Sequence, residues 1–329
     1  MRAPEFTRSA KIFVAGHRGL VGSALVRRLR ATGHHDLVLA TSSEVDLRDR
    51  GATARFLLDR RPEVIVLAAA RVGGIAANAA APADFLSDNL RIQLSVLDAA
   101  RALGVPRVLF LGSSCIYPRE ARQPIKESAL LTGPLEPTNA AYAIAKIAGI
   151  THVRSVREQD GLPWITAMPT NLYGPGDNFH PTGSHVLPGL MRRFHEAAQS
   201  GAHSVTVWGT GTPRREFLHA DDLADACLTL LAGYDGPDPV NVGTGRDITI
   251  ADLARLVAET AGYTGRIEFD PSKPDGTPRK VLDISTLTGL GWEPRIRLRE
   301  GVAATYAWYL ESLDLPRQRG EVRGHEVVR

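Results

Sequence analysis

A short apolar run followed by three spaced glycines constrains the fold of this chain most strongly. "KIFVAG" (11–16) reads as a buried strand, and Gly16, Gly19 and Gly22 lie between it and the amphipathic helix "SALVRRLRATG". Glycines at these spacings allow a tight turn, close approach of a pyrophosphate to the backbone, and close packing of the helix on the sheet. The pattern predicts a dinucleotide site at the first strand-to-helix turn.

The alternation of strand and helix continues through the first half of the chain. Apolar runs that read as strands recur at 36–41, 62–70, 107–114 and 163–175, and helical patterns separate them. Strands that are apolar throughout are typical of parallel sheets covered by helices on both faces. The sequence therefore predicts an α/β protein with a Rossmann-like, doubly wound parallel sheet.

The second half of the chain has shorter strands, among them "VNVGTG", and loops rich in proline and glycine. This pattern predicts a smaller C-terminal α/β lobe that binds substrate over the carboxyl ends of the first sheet. We expect residues 1–170 to form the dinucleotide-binding domain, with the strand–helix segment near 214–232 returning to it. Residues 171–315 should form mainly the substrate-binding lobe, and residues 316–329 a flexible tail.

Composition narrows the range of partners. The chain has 329 residues, of which 43% are hydrophobic and 23% charged, values that are ordinary for a soluble globular protein. The formal net charge is only +3 and there is no Lys/Arg stripe with interleaved aromatics, so nucleic acid is not an expected partner. No apolar run reaches the length of a membrane span, and the N-terminus lacks the core of a signal peptide. We therefore expect no membrane partner and a cytoplasmic location.

The chain has two cysteines, Cys115 and Cys227, which are far apart in sequence. They form no ligand-like pair, so we expect no disulfide framework and no metal site, and a reducing compartment fits best. Cys227 lies in a helical pattern, where a packed core thiol is favoured. Cys115 follows two serines at the end of a strand. Taken alone, it is either a core residue or a group that takes part in acid–base chemistry.

Arg18 lies inside the glycine turn and places a cation where a phosphate would bind. Leu20 and Val21 complete the turn, and the second strand ends in "LATSSEVD", with no acidic residue directly after it. An acid at that point binds the ribose diol of NAD, whereas NADP needs groups that bind an extra phosphate. Arg18 and the hydroxyl of Ser42 therefore favour NADP(H), with NAD as the alternative.

Tyr142 and Lys146, in "YAIAK", are four residues apart on a predicted helix and so share one face. A phenol has an ordinary pKa of ~10, and a neighbouring ammonium lowers it. A serine from "GSS", at the end of the fourth strand, can hold a substrate oxygen beside the phenol. Together with the glycine turn, these residues predict a Ser-Tyr-Lys catalytic set beside the dinucleotide.

These motifs resemble those of the extended short-chain dehydrogenase/reductase superfamily and, within it, the GDP-L-fucose synthase family. The resemblance runs nearly end to end, through "AGHRGLVGSA", "RVGGIAAN", "LFLGSSCIYP", "LEPTN", "YAIAKIAGI", "MPTNLYGPGDNFHP", "SHVLP", "WGTGTPRREFLH" and "SKPDGTPRK". It implies an NADPH-dependent enzyme with a GDP-sugar as its substrate. Such an enzyme epimerises C3 and C5 of GDP-4-keto-6-deoxy-D-mannose and reduces C4 to give GDP-L-fucose. The resemblance also implies a homodimer.

The resemblance further implies roles for individual residues. The catalytic set falls on Ser113, Tyr142 and Lys146. The epimerisation pair falls on Cys115, expected to act as the base, and His185, expected to act as the acid. Lys146 and His185 are also expected to contact the cofactor. Substrate contacts are expected at Asn171, Arg193, Trp208, Arg215 and Lys280.

Several alternatives stay open on the sequence. One is a related ketosugar reductase or nucleotide-sugar 4-epimerase on the same scaffold. Another is a non-catalytic NADP-binding regulator, which would predict erosion of the Ser-Tyr-Lys set. A 4,6-dehydratase is disfavoured, because "SSC" stands where those enzymes place an acidic pair after a Ser or Thr. Ser113, and not Ser114, matches the family's serine, and His180 is a rival to His185.

Overall fold

The structure, a computed structural model, describes residues 6–181 and 183–314. The flexible tail expected at 316–329 lies outside the described residues. Within the described part of the chain, no helix is both long enough and apolar enough to cross a membrane.

The described residues form twelve strands and ten α-helices. The strands are β1 (Ile12–Ala15), β2 (Leu37–Val38), β3 (Val64–Leu67), β4 (Arg107–Leu111), β5 (Ile165–Pro169), β6 (Asn171–Tyr173), β7 (Ser204–Trp208), β8 (Arg214–His219), β9 (Val240–Val242), β10 (Asp247–Thr249), β11 (Arg266–Asp270) and β12 (Arg279–Lys280). The helices are α1 (Leu20–Ala31), α2 (Arg50–Arg60), α3 (Ile75–Ala80), α4 (Pro82–Ala102), α5 (Ala140–Asp160), α6 (Val186–Ser200), α7 (Ala220–Gly233), α8 (Ile250–Thr260), α9 (Ser285–Gly289) and α10 (Leu298–Asp314).

Six parallel strands form the first sheet, in the order β2-β1-β3-β4-β5-β9. β1, β3, β4 and β5 are buried along their whole length, because helices cover both faces. Leu25 and Leu223 pack one face, and Leu57, Leu97 and Val153 pack the other. β2 and β3 lie on opposite sides of β1, which opens a crevice at the carboxyl ends of the strands. The predicted α/β class and Rossmann-like sheet are confirmed.

The smaller lobe contains a second sheet of β6, β8, β10 and β12, and a separate pair, β7 with β11. Phe194, Phe217 and Val257 belong to its core. β6 begins two residues after the last residue of β5, so the second sheet starts at the carboxyl edge of the first. That edge is where the functional side chains meet.

Three elements differ from the sequence expectation. The single strand expected at 163–175 is two strands, β5 and β6, in different sheets, and of the segment near 214–232 only α7 packs against α1, while β8 lies in the second sheet. The run "VNVGTG", expected in the smaller lobe, supplies β9 of the first sheet. The polar Asn241 is tolerated in this buried strand because its side chain hydrogen-bonds with the Tyr117 hydroxyl and with the carbonyl oxygens of Ile125 and Asp283.

Candidate active site

The glycine turn between β1 and α1 is so tight that two of its glycines have no room for a side chain. A Cβ on Gly22 would lie 2.1 Å from the carbonyl oxygen of Gly16. A Cβ on Gly16, which has a φ of +83°, would lie 2.9 Å from the backbone of Ala69. A Cβ on Gly19 would meet only the Gly16 oxygen, at an ordinary 3.5 Å. Gly16 and Gly22 therefore seat the helix against the sheet, and Gly19 keeps the outer surface of the turn bare.

The turn offers N–H groups and no acidic charge to an anion. Leu20 and Val21 are the first residues of α1, where N–H groups have no partner within a helix. The first turn of α1 holds no acidic residue, so the helix dipole is not opposed there. Arg18 and Ser42 are both exposed. The turn therefore fits the pyrophosphate of a dinucleotide.

The turn after β4 separates the residues of "SSC". The side chain of Ser113 caps a 3₁₀ turn (Ser114–Ile116) and accepts a hydrogen bond from the backbone N–H of Cys115 at 3.3 Å. Ser114 is only 2% exposed, whereas Ser113 and Cys115 are half-buried. The structure therefore leaves Ser113 and Cys115, and not Ser114, accessible to a ligand.

Tyr142 and Lys146 lie one turn apart on α5, as their spacing predicts. Lys146 is buried: its Nζ donates a hydrogen bond to the carbonyl oxygen of Leu111 at 2.8 Å and lies 5.8 Å from the centre of the Tyr142 ring. Burial lowers the pKa of Lys146 to about 8.

The pKa of Tyr142 is raised, first by burial and then by the negative charge of an ionised Cys115, and a contact with the Ser113 side chain opposes the rise. The lowering expected from Lys146 is therefore not found. Desolvation of the phenolate is the largest cause of the shift. The structure does bring Ser113, Cys115 and Tyr142 together, from the end of β4 and the start of α5.

Arg215 and Lys280 reach this group through the pairing of two strands. They are register partners on the parallel strands β8 and β12. The Nζ of Lys280 lies 3.8 Å from the Sγ of Cys115. Arg215 donates hydrogen bonds to the carbonyl oxygens of Arg214 at 2.9 Å and Asp275 at 3.2 Å. Positive charge thus lies beside the only cysteine of the crevice among the described residues.

His185 is the residue directly before α6, and its side chain makes no capping hydrogen bond to the helix. Protein packed around the ring, and then the positive charge of Lys280, lower the pKa of its imidazole. The charge of Lys280 therefore acts on His185, and the same ammonium lies 3.8 Å from the Sγ of Cys115.

Comparisons with known proteins identify the family of this chain. The NAD dependent epimerase/dehydratase family matches residues 12–243. The chain belongs to this family. It is 58% identical over 306 residues to GDP-L-fucose synthase 1 of Arabidopsis thaliana, covering 93% of this chain and 95% of that protein. It is 51% identical over 313 residues to the GDP-L-fucose synthase of Escherichia coli, covering 92% and 98%.

A solved structure extends the comparison to a cofactor-bound relative of this epimerase/dehydratase. A GDP-L-fucose synthetase from Naegleria fowleri, described as bound to NADP, has a TM-score of 0.87 at 28% identity. The alignment covers 96% of this chain and 98% of that one. The shared fold therefore extends over both lobes.

The other substrate-binding candidates of this epimerase/dehydratase lie on α6, β7 and β6. Arg193 is about two turns along α6 from His185, and burial lowers its pKa. Trp208 ends β7 with its side chain 54% exposed, and the Nζ of Lys273 lies 5.8 Å from the ring centre. The side chain of Asn171 donates a hydrogen bond to a backbone oxygen of β8 at 2.7 Å.

Two residues near the thiol were not predicted from the sequence. Glu136 and Asn139 line a cavity of about 20 Å³ together with Cys115 and Lys280. Oε2 of Glu136 and Oδ1 of Asn139 are buried without a hydrogen-bond partner among the described residues. Oε2 of Glu136 forms an ion pair with the Nε of Arg119 at 3.5 Å. The stretch "LEPTN" was the only signal, and it pointed to a family rather than to a contact.

Proposed function

We propose that the chain is an NADPH-dependent epimerase-reductase that converts GDP-4-keto-6-deoxy-D-mannose into GDP-L-fucose. One observation carries this proposal: a proton-transfer group, Cys115 with Lys280 at 3.8 Å, lies beside the Ser113, Tyr142 and Lys146 set. A simple ketosugar reductase needs only the Ser-Tyr-Lys set and has no use for the thiol. Relatives named GDP-L-fucose synthase, at 58% and 51% identity, support the same activity.

We assign Ser113 and Tyr142 to the C4 oxygen of the sugar. The raised pKa of Tyr142 keeps the phenol protonated at neutral pH, so it can donate a hydrogen bond and then a proton to that oxygen. Lys146 carries positive charge below a pH of about 8, which favours the phenolate that this transfer leaves behind. When bound, NADPH supplies the reducing equivalent for C4.

We assign the glycine turn to the pyrophosphate of NADP(H). Gly16 and Gly22 bring the backbone close, and the N–H groups of Leu20 and Val21 face the anion. Arg18 and Ser42 are proposed to bind the additional phosphate, since both are exposed and neither brings negative charge. Lys146 and His185 are proposed to contact the other half of the cofactor.

We assign Cys115 as the base and His185 as the acid for epimerisation. Protons on C3 and C5 are acidic because the enolate places its charge on the C4 oxygen, which Ser113 and Tyr142 hold. The Cys115 thiolate takes a proton from one face of the carbon, and the His185 imidazolium returns a proton to the other face. Exchange with solvent then restores both groups before the second carbon is inverted.

We assign the remaining polar and aromatic residues to the GDP portion of the substrate. Arg215 and Arg193 offer guanidinium groups to the diphosphate, which they can bind through two parallel hydrogen bonds. The exposed ring of Trp208 offers a flat surface on which a base can stack. Lys280 and Asn171 are proposed to contact the sugar side.

The activity is tested by incubating the protein with GDP-4-keto-6-deoxy-D-mannose and NADPH in deuterated water. We expect NADPH consumption together with deuterium at C3 and C5 of the product, read by mass spectrometry and NMR. Reduction without deuterium would mean a ketosugar reductase. A chain that binds NADPH but turns nothing over would be a regulator.

The role of Cys115 is tested by Cys115→Ser. A hydroxyl is a far weaker acid than a thiol, so we expect exchange at C3 and C5 to fall by about 100-fold or more. NADPH binding and the temperature of unfolding should be unchanged in Cys115→Ser. Cys227→Ala, at a buried core cysteine, is the matched control for removal of a thiol elsewhere in the chain. Full exchange in Cys115→Ser would remove the cysteine from the mechanism.

We also propose a cytoplasmic homodimer with α4 and α5 at its interface. Leu94 on α4 and Ile144 on α5 are large apolar side chains that are exposed in the single chain, and free cysteines suit a reducing compartment. Sedimentation equilibrium tests the dimer, because a single species of monomer mass would rule it out. We further propose that residues 1–170, together with α7 and β9, form the dinucleotide-binding domain.

A further inference from the structure

The segment Arg71–Ile75, "RVGGI", has no part in the mechanism above, although it follows β3 at the carboxyl edge of the first sheet. It leads from β3, whose carboxyl end borders the crevice, into α3. The side chain of Arg71 forms ion pairs with Asp84 at 3.2 Å and Asp88 at 2.7 Å. Both carboxylates belong to α4, so these contacts tie the segment to that helix.

Two buried asparagines hold the backbone of this segment from α3 and α4. The amide of Asn89 accepts a hydrogen bond from the N–H of Arg71 and donates one to its carbonyl oxygen, both at 3.0 Å. The Nδ2 of Asn78 donates to the carbonyl oxygens of Gly73 at 2.8 Å and Gly74 at 3.1 Å. The segment is thus fixed on the side of the first sheet.

The opposite side of Gly74 touches the loop that leads to His185. The N–H of Gly74 donates to the carbonyl oxygen of Gly183 at 3.4 Å, and a Cβ built on Gly74 would lie 2.6 Å from the carbonyl oxygen of Ser184. Ser184 is the residue directly before His185. Next to this contact, the N–H of Ser184 donates a hydrogen bond to the carbonyl oxygen of His180 at 3.3 Å.

The backbone of Gly74 does not itself require glycine. Its φ is −67° and its ψ is −179°, an extended conformation open to any residue. The single obstacle to a side chain is the Ser184 carbonyl. Ordinary contact begins at 3.4 Å, so one partner would have to move by about 0.8 Å. Asn78 holds the carbonyl oxygens of Gly73 and Gly74 at 2.8 and 3.1 Å, whereas Gly74 bonds to the loop at 3.4 Å. We therefore expect a side chain at Gly74 to displace Ser184 and not the RVGGI segment.

We propose that Gly74 is a positioning residue for epimerisation. Its missing side chain lets the RVGGI segment support the backbone of Ser184 at close range, and this contact sets the place of His185. The proposal rests on the proposed function, in which His185 is the acid at C3 and C5. The chemistry at C4 depends on Ser113 and Tyr142, which the contact does not reach. Because His185 is also proposed to contact the cofactor, the C4 step is compared at saturating NADP⁺, so that a change in cofactor affinity does not enter.

The test is Gly74→Ala, with the two half-reactions measured apart. Exchange of deuterium into GDP-4-keto-6-deoxy-D-mannose, with NADP⁺ present and NADPH absent, reports epimerisation. A single turnover of GDP-L-fucose with NADP⁺, followed by NADPH absorbance, reports chemistry at C4. Misplacement by about 1 Å can cost about 100-fold. We expect exchange to fall by about that factor in Gly74→Ala and the C4 step to stay within about twofold.

Gly233→Ala is the matched control, because a Cβ at Gly233, the last residue of α7, meets nothing within 4 Å. It should leave both half-reactions and the temperature of unfolding unchanged. Asn78→Ala is a second route to the same contact: it frees the carbonyl oxygens of Gly73 and Gly74. We expect it to reduce exchange selectively, which keeps the proposal testable if Gly74→Ala does not fold.

The outcomes separate this inference from the proposed function. No exchange by the unaltered protein would remove the proposed epimerase activity itself. Normal exchange by Gly74→Ala, when the unaltered protein exchanges, would overturn the positioning role alone. Equal losses of exchange and of the C4 step would also overturn it, because they would indicate general damage to the site.

Discussion

The cofactor turn and the substrate crevice are built in opposite ways. The turn uses consecutive residues, 16–22, and depends on side chains that are missing. The crevice gathers side chains from 113–115, 142–146, His185 and Lys280, which strand pairing and helix starts bring together. A local motif is enough to specify the first, whereas the second exists only once the whole chain is folded. Substitutions should therefore act on the turn through sterics and on the crevice through charge.

The largest effect is expected for Gly22→Ala in the turn. A Cβ 2.1 Å from the Gly16 carbonyl must push α1 off the sheet, and overpacking costs about 3 kcal/mol. NADPH affinity should fall by about 100-fold, and the temperature of unfolding by roughly 5 °C or more. Fluorescence titration and thermal unfolding measure the two.

Gly19→Ala is the matched control within the same turn, since its Cβ meets the same oxygen at 3.5 Å. Its temperature of unfolding should stay close to that of the unaltered protein, while NADPH binding weakens only to the extent that the new methyl meets the pyrophosphate. Similar unfolding temperatures for Gly19→Ala and Gly22→Ala would mean that the turn tolerates side chains. The steric argument that distinguishes the turn from the crevice would then be wrong.

Lys146 belongs to the crevice, is also proposed to contact the cofactor, and should give the second largest effect. Lys146→Met removes the charge behind Tyr142, so kcat for C4 reduction should fall by about 100-fold. Burial lowers the pKa of Lys146 to about 8, so the ammonium is present below that pH and lost above it. The kcat of the unaltered protein should therefore decline as pH rises through about 8, and Lys146→Met should lack this decline.

Stopped-flow NADPH oxidation at saturating substrate between pH 6 and pH 10 measures the decline. If it persisted in Lys146→Met, another group would be its source. Titration of NADPH binding at each pH is the control, because it separates a loss of cofactor from a loss of chemistry.

The turn is made of consecutive residues and the crevice of dispersed ones, and this difference decides how far the sequence predicts each region. The glycine turn and the one-turn spacing of Tyr142 and Lys146 are short-range patterns, and the structure has both where they were expected. The direction of the Tyr142 pKa shift was wrong, because the spacing shows the ammonium but not the burial of the phenol. The contact of Gly74 with Ser184 had no local signal, because it joins two loops from different lobes.

The strands show the same limit. The buried run of β4 was predicted from its apolar residues alone, but β9 was assigned to the wrong lobe. Three residues with a polar Asn241 read as a strand of the smaller lobe. Only the fold supplies the hydrogen-bond partners that let this asparagine be buried in the first sheet.

The smallest effect, and the most specific to the crevice, is expected for Lys280→Met. Two influences lower the pKa of His185: burial of the imidazolium and the positive charge of Lys280. Removing the charge leaves the burial, so the pKa of His185 should rise toward its ordinary value. The imidazolium, the acid form, should then make up a larger fraction at pH 7. NMR titration of the His185 ring, assigned with His185→Gln, measures the shift.

Lys273→Met is the matched control for this titration, because that ammonium lies over the Trp208 ring. We expect it to leave the pKa of His185 where it is. A rise of the His185 pKa in Lys280→Met alone would show that two residues 95 positions apart in the chain share one electrostatic environment. The turn at 16–22 has no such long-range coupling, because its residues are consecutive. An unchanged pKa in both variants would mean that the pairing of β8 with β12 does not carry Lys280 to His185. The acid and the base would then have to be tuned independently.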